Sequence, residues 1–145
     1  MTFPAGAHKE AQLYGRYVVR TSVTFAALTT GTQTEHALFT VSGQVHVVIL
    51  AQCSTLLTGA GSISVGTDDV LTGLQPVTVA TVIDADEIWA FDAAPSDCEA
   101  QASTGGAWVS DHIVYDITVG TIDSGVLNWV CWWTPVSSGA TVVAA

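Results

Sequence analysis

The sequence predicts an all-β fold: an antiparallel β-sandwich, either jelly-roll-like or closed into a small barrel. Three observations predict it. Val, Thr and Ser are abundant while Lys and Glu are nearly absent, Gly recurs between short apolar runs, and several of those runs alternate apolar with polar residues at a period of two. A chain of 145 residues is long enough to bury one sizeable core, and 49% hydrophobic against 11% charged residues excludes disorder. The expected organisation is a single β domain over residues 21–145, preceded by an extended N-terminal arm over residues 1–20.

The elements follow in order. The arm holds Phe3-Pro4, Gly6, Gly15 and the cations Lys9, Arg16 and Arg20, without steady periodicity. Residues 21–29 form the first strand. Residues 37–41 run through Ser42-Gly43 into residues 45–52, which reads as a hairpin. Residues 62–65 lie between Gly61 and Gly66, residues 77–83 follow Pro76, and residues 88–91 end before the Ala93-Ala94-Pro95 loop. The long run 107–119 and the strand 126–134 join through Gly120 to Gly125 as a second hairpin. Residues 137–145 are a loose tail or a last edge strand.

Alternation assigns faces. In the penultimate strand Ile113, Tyr115, Ile117 and Val119 point one way, and His112, Asp116 and Thr118 the other, the pattern of a half-buried strand. The last strand differs, because Leu127, Trp129, Cys131 and Trp133 on one face are matched by Val126, Val130 and Trp132 on the other. Such a strand must be covered twice, by a loop or by another subunit. Aromatic residues are enriched at interface cores, so Trp129, Val130, Trp132 and Trp133 are the candidate subunit interface.

Charge excludes several function classes. Lys9, Arg16 and Arg20 are the only Lys or Arg residues, and the net charge is −10. A duplex or an anionic membrane surface needs clustered cations, so neither nucleic acid nor membrane is an expected partner. The longest apolar stretch, residues 47–51, is far short of the roughly 18–20 residues of a membrane span, and the start lacks a charged and apolar leader pattern. The expectation is a soluble, unexported protein.

No catalytic site stands out. Cys53, Cys98 and Cys131 are odd in number and widely spaced, without a C-x-x-C pair, and read as thiols of a reducing compartment. His36, His46 and His112 are dispersed, and no G-x-S-x-G, H-E-x-x-H or phosphate-cradling motif occurs. Asp84-Ala85-Asp86-Glu87 and Thr67-Asp68-Asp69 read as turns with solvated acids, because the twelve-residue ligand loop of an EF-hand is absent. We therefore expect no catalytic, cofactor-binding or metal-ligating residues. The alternative is a tail-associated or lectin-like adhesion module, its acidic loops holding calcium and its Trp side chains meeting glycan.

Ile83-Asp84-Ala85-Asp86-Glu87-Ile88-Trp89, the segment Thr118 to Trp129, and Trp132-Trp133-Thr134-Pro135-Val136-Ser137 carry a resemblance. Over residues 43–139 the chain resembles small β-rich head structural proteins of tailed bacteriophages. Their pattern is a strand ending in I-D-A-x-E-I-W, a hairpin with a small-Gly turn, and an aromatic strand closing on W-x-P-[LV]-S, with Trp133 in the W-x-P place here. The resemblance implies a capsid decoration or cement protein, a homotrimer that binds the outer surface of the major capsid protein lattice on the virion after assembly in the host cytoplasm. In that setting the doubly apolar strand supplies the subunit interface, and Lys9, Arg16 and Arg20 reach a neighbouring subunit or an acidic capsid patch.

Overall fold

The computed structural model describes residues 17–90 and 106–145. Ten strands follow one another in these segments: β1 (Tyr17–Thr24), β2 (Glu35–Ser42), β3 (Val45–Gly59), β4 (Ser62–Thr67), β5 (Gln75–Val79), β6 (Ile88–Ala90), β7 (Ala107–Val109), β8 (Ile113–Thr118), β9 (Ile122–Pro135) and β10 (Thr141–Ala144). A single 3₁₀ turn, Ala80–Val82, follows β5. The described residues are therefore mostly strand, with no α-helix among them, as the β-rich composition predicts.

The strands form two five-stranded antiparallel sheets. The first has the order β1-β9-β3-β6, with β7 pairing β3 beside β6; the second has the order β10-β2-β8-β4-β5. Among the described residues both sheets are open, so these strands form a sandwich and not a small barrel. Their inner faces meet in one core. Sheet one contributes Val45, Val47, Ile49 and Ala51 from β3 and Leu127, Trp129, Cys131 and Trp133 from β9; sheet two contributes Ile63, Val65, Ile113, Tyr115 and Ile117. A register shift between Ala37 and Phe39 in β2 lets Leu38 and Phe39 both be buried despite being neighbours.

Several expectations about connections are corrected. Ser42-Gly43 does not close a hairpin: β2 lies in the second sheet and β3 in the first, so the turn is an arch across the core. The Gly120 to Gly125 segment is likewise not a hairpin loop, because β8 and β9 belong to different sheets. β3 pairs β9 in the first sheet and β4 pairs β8 in the second, so the ribbon β3–β4 runs beside β8–β9 through both layers. The two sheet changes lie side by side, held by the Gly61 N–H donating to the Thr121 carbonyl at 2.9 Å. Strands that switch sheets at a bend are a known way to turn such corners. Val119 sits in this bend at φ 71°, which takes it off the apolar face expected for it and leaves it 77% exposed.

The long run 107–119 is also two strands in two sheets, parted at Ser110-Asp111-His112. There Asp111 Oδ1 accepts from the His112 N–H at 2.8 Å, and His112 Nδ1 accepts from the Val41 N–H at 3.3 Å. Residues 77–83 divide similarly, the strand ending at Val79 before the 3₁₀ turn. Pro76 is tolerated because β5 is an edge strand that needs its N–H groups on one side only. Of the two options for residues 137–145, the edge strand is realised: β10 pairs β2.

The arm boundary moves as well. Residues 1–16 lie outside the described residues, but residues 17–20 are part of β1, in register with β9 from Tyr17 opposite Trp133 to Thr24 opposite Val126. Val19 and Val23 pack on the core, and the Tyr17 ring stacks on Trp133 with centroids 4.6 Å apart. Residues 25–29, expected to continue the strand, instead turn, with Thr30 Oγ1 donating to the Thr24 carbonyl at 2.6 Å.

A candidate interaction face on the outer side of the first sheet

The antiparallel register assembles the outer face of sheet one row by row. Val18 pairs Trp132, which pairs Val48; Arg20 pairs Val130, which pairs Leu50; Ser22 pairs Asn128, which pairs Gln52. A further row brings Thr134 beside His46 and His46 beside Trp108. Directly opposed cross-strand residues share a face, so Val18, Val48, Leu50, Val130 and Trp132 make one apolar field. Val48, Leu50, Val130 and Trp132 are half-buried and Val18 is exposed. Trp108 extends the field, 75% exposed, its ring edge-on to His46 at 5.4 Å.

One side of the field is polar. Ser22 Oγ donates to Asn128 Oδ1 at 2.9 Å, and Gln52 stands on the far side of Asn128. Arg20, Ser22, Gln52, Asn128 and Val130 border a shallow cavity of about 430 Å³. Arg20 is the only Lys or Arg among the described residues, and every other formally charged side chain there is acidic. The face therefore joins apolar surface to the one positive charge of the described protein.

This geometry sorts the sequence-derived candidates. Val130 and Trp132 lie on the outer face as an interface requires. Trp129 and Trp133 do not: they alternate to the inner face, 0% and 9% exposed, and belong to the core. Arg20 is fixed in β1 and is not part of a free arm, while Lys9 and Arg16 lie outside the described residues. Val48, Leu50 and Trp108 were missed. The signal for the first two was present, because residues 45–52 are apolar at both parities in the same way as β9.

The other candidates serve local structure. The Asp84 N–H donates to Glu87 Oε2 at 2.9 Å, and Asp86 and Glu87 fasten the turn to Cys53 through backbone bonds of 2.7 and 2.9 Å. Among the described residues no group of three or more His, Cys, Asp or Glu side chains is placed to hold a metal ion. His36 stacks on Tyr115, centroids 4.8 Å apart, and its Nε2 lies 3.1 Å from the Thr32 carbonyl. Burial pushes the Cys131 thiol up to about 12. Desolvation also raises Cys53, opposed by hydrogen bonding to the Thr55 and Leu57 backbone and reinforced by Glu87 and Asp84. Neither thiol is activated for nucleophilic work. Cys98 lies outside the described residues.

No helix among the described residues is long and apolar enough to cross a membrane. No protein-family model, no curated protein and no solved structure matches the chain.

Proposed function

We propose that this chain is a non-enzymatic structural protein of a bacteriophage virion, a capsid decoration or cement protein that binds the outer surface of the major capsid protein and associates with copies of itself. The observation that carries this reading is the outer face of sheet one, where Val18, Val48, Leu50, Val130 and Trp132 form a continuous apolar field on a rigid sheet. Contiguous apolar surface of this kind marks protein contact sites. The motif resemblance supplies the kind of partner. A cement protein works by binding the assembled lattice better than loose subunits, as any ligand selective for one state does, and repeated copies make modest contacts sufficient.

The test is co-sedimentation of the full-length protein with intact heads, with Trp132→Ser as the altered face. Stoichiometric pelleting that the substitution abolishes supports the reading; pelleting unaffected by it, or none at all, overturns it.

A second reading rests on the polar row. Ser22, Asn128 and Gln52 beside Arg20 offer the hydroxyl, amide and guanidinium groups that a saccharide's hydroxyls and carboxylates would meet, as in a lectin-like adhesion module. Glycan binding lost on Asn128→Ala, with head binding absent from the outset, would select it.

A further inference from the structure

A second set of exposed apolar side chains lies on the edge strand of the second sheet and in the turn that leaves it. Val77 and Val79 of β5 and Val82 of the following turn are 53%, 49% and 49% exposed. Thr78, between the two β5 valines, turns inward and accepts a hydrogen bond from Trp89 Nε1 at 3.1 Å, so Val77 and Val79 point outward. The exposed carboxylate of Asp84 follows two residues after Val82. Pro76 removes a backbone donor from this edge, so a partner meets it through side chains and not by adding a strand.

We infer that a second copy of this chain docks its Val77-Val79-Val82 patch on the outer face of sheet one, with its Asp84 carboxylate meeting Arg20. The inference rests on the reading of that face as a docking surface and goes further by naming what covers it. Charge decides the pairing. Arg20 is the only Lys or Arg among the described residues and no acid stands in the rows paired with it, so on a second copy the exposed Asp84 supplies the opposite charge. The β5 patch supplies apolar surface and the opposite charge together. Val77 and Val79 stand on the edge strand of the second sheet and Arg20 on the first sheet, so each copy offers both halves of a head-to-tail contact. Such contacts build rings when the rotation closes.

The experiment is native mass spectrometry of the full-length protein and of Trp132→Ser, Val79→Asp and their 1:1 mixture, each checked for an unchanged circular dichroism spectrum. The expected result is an oligomeric parent, two monomeric variants, and a heterodimer in the mixture, because each variant keeps the half that the other lacks. Charge variants give an independent arm that leaves the apolar packing in place. Arg20→Asp and Asp84→Arg should each weaken association by roughly tenfold or more, and the double exchange should restore most of it. A Val79→Asp variant that oligomerises like the parent overturns the head-to-tail pairing. A monomeric parent overturns it too, and head binding still lost on Trp132→Ser then shows that the docking face survives with the capsid as its occupant. Head binding unchanged in that variant would remove both readings.

Discussion

The indoles of Trp89 and Trp129 meet edge to face inside the sandwich, their centroids 5.5 Å apart and their planes at 62°. The register explains how two of the largest side chains come together: Ala51 is the residue opposite both, with Trp129 on one side and Trp89 on the other. Only a small residue between them leaves room for rings on neighbouring strands to touch. Ala51→Leu should therefore cost about 1–3 kcal/mol through overpacking, seen as a lower urea midpoint with an unchanged slope. An unchanged midpoint would show that the two rings do not depend on Ala51.

Trp89 has its indole N–H satisfied by Thr78 Oγ1 at 3.1 Å. Thr78→Val keeps the shape and removes the acceptor, leaving the N–H of a buried ring without a partner. A loss of about 1–3 kcal/mol is expected, while Thr78→Ser should retain most of the stability. Thermal unfolding of the two variants side by side separates the hydrogen bond from the packing.

Alkaline pH should destabilise the fold. Burial raises Cys131 from 9.0 and Tyr115 from 10.0, each to about 12. Below pH 9 both groups are protonated in the folded and unfolded states, so the stability is fully present. Between each ordinary value and about 12 the unfolded chain releases its proton first, and stability falls with rising pH, by up to about 1.4 kcal/mol per pH unit for each group. Cys131→Val should flatten the part of this fall that begins near pH 9, measured by urea unfolding from pH 8 to 11.

Two glycines should respond differently to Ala. At Gly66 a methyl would run into the Val70 carbonyl and lie 2.7 Å from Leu71 Cα, where the β4–β5 loop crosses the strand and Ser64 Oγ donates to the Leu71 carbonyl at 3.0 Å. Gly66→Ala should cost about 1–3 kcal/mol and speed amide exchange of the loop. At Gly139 a methyl meets nothing within 4 Å, and only the φ of +76° opposes it, so Gly139→Ala should cost about 1–2 kcal/mol without disturbing that loop.

Strand identity was legible in the sequence because it depends on local alternation. Pairing was not. Ser42-Gly43 and the Gly120 to Gly125 segment carry turn residues that suit a hairpin and an arch equally, and what separates the two is which distant strand buries the apolar face. The 107–119 run looked continuous because the apolar residues Val109 and Ile113 are in step on either side of Ser110-Asp111-His112, whose hydrogen bonds turn the corner. At the candidate face, the doubly apolar character of β9 was visible in Val130 and Trp132, but the same property at Val48 and Leu50 gained meaning only once β3 lay alongside. Arg20 looked like part of an arm because its neighbours toward residue 1 lack periodicity. Its partner Val130 lies at the other end of the chain.

That last pairing has a temporal consequence. Ser22 and the Asn128 that accepts its hydrogen bond are 106 residues apart. At ribosomal speeds of about 5–20 residues per second, β1 emerges on the order of 5–20 seconds before the strand it pairs with. β3, made early, waits as well for β9. The first sheet is therefore completed only once β9 has been made, by closing long loops, which places this fold among slow-folding topologies. While it waits, the nascent chain shows β3 with apolar residues on both faces, and cellular chaperones would meet that strand before the folded protein meets any partner.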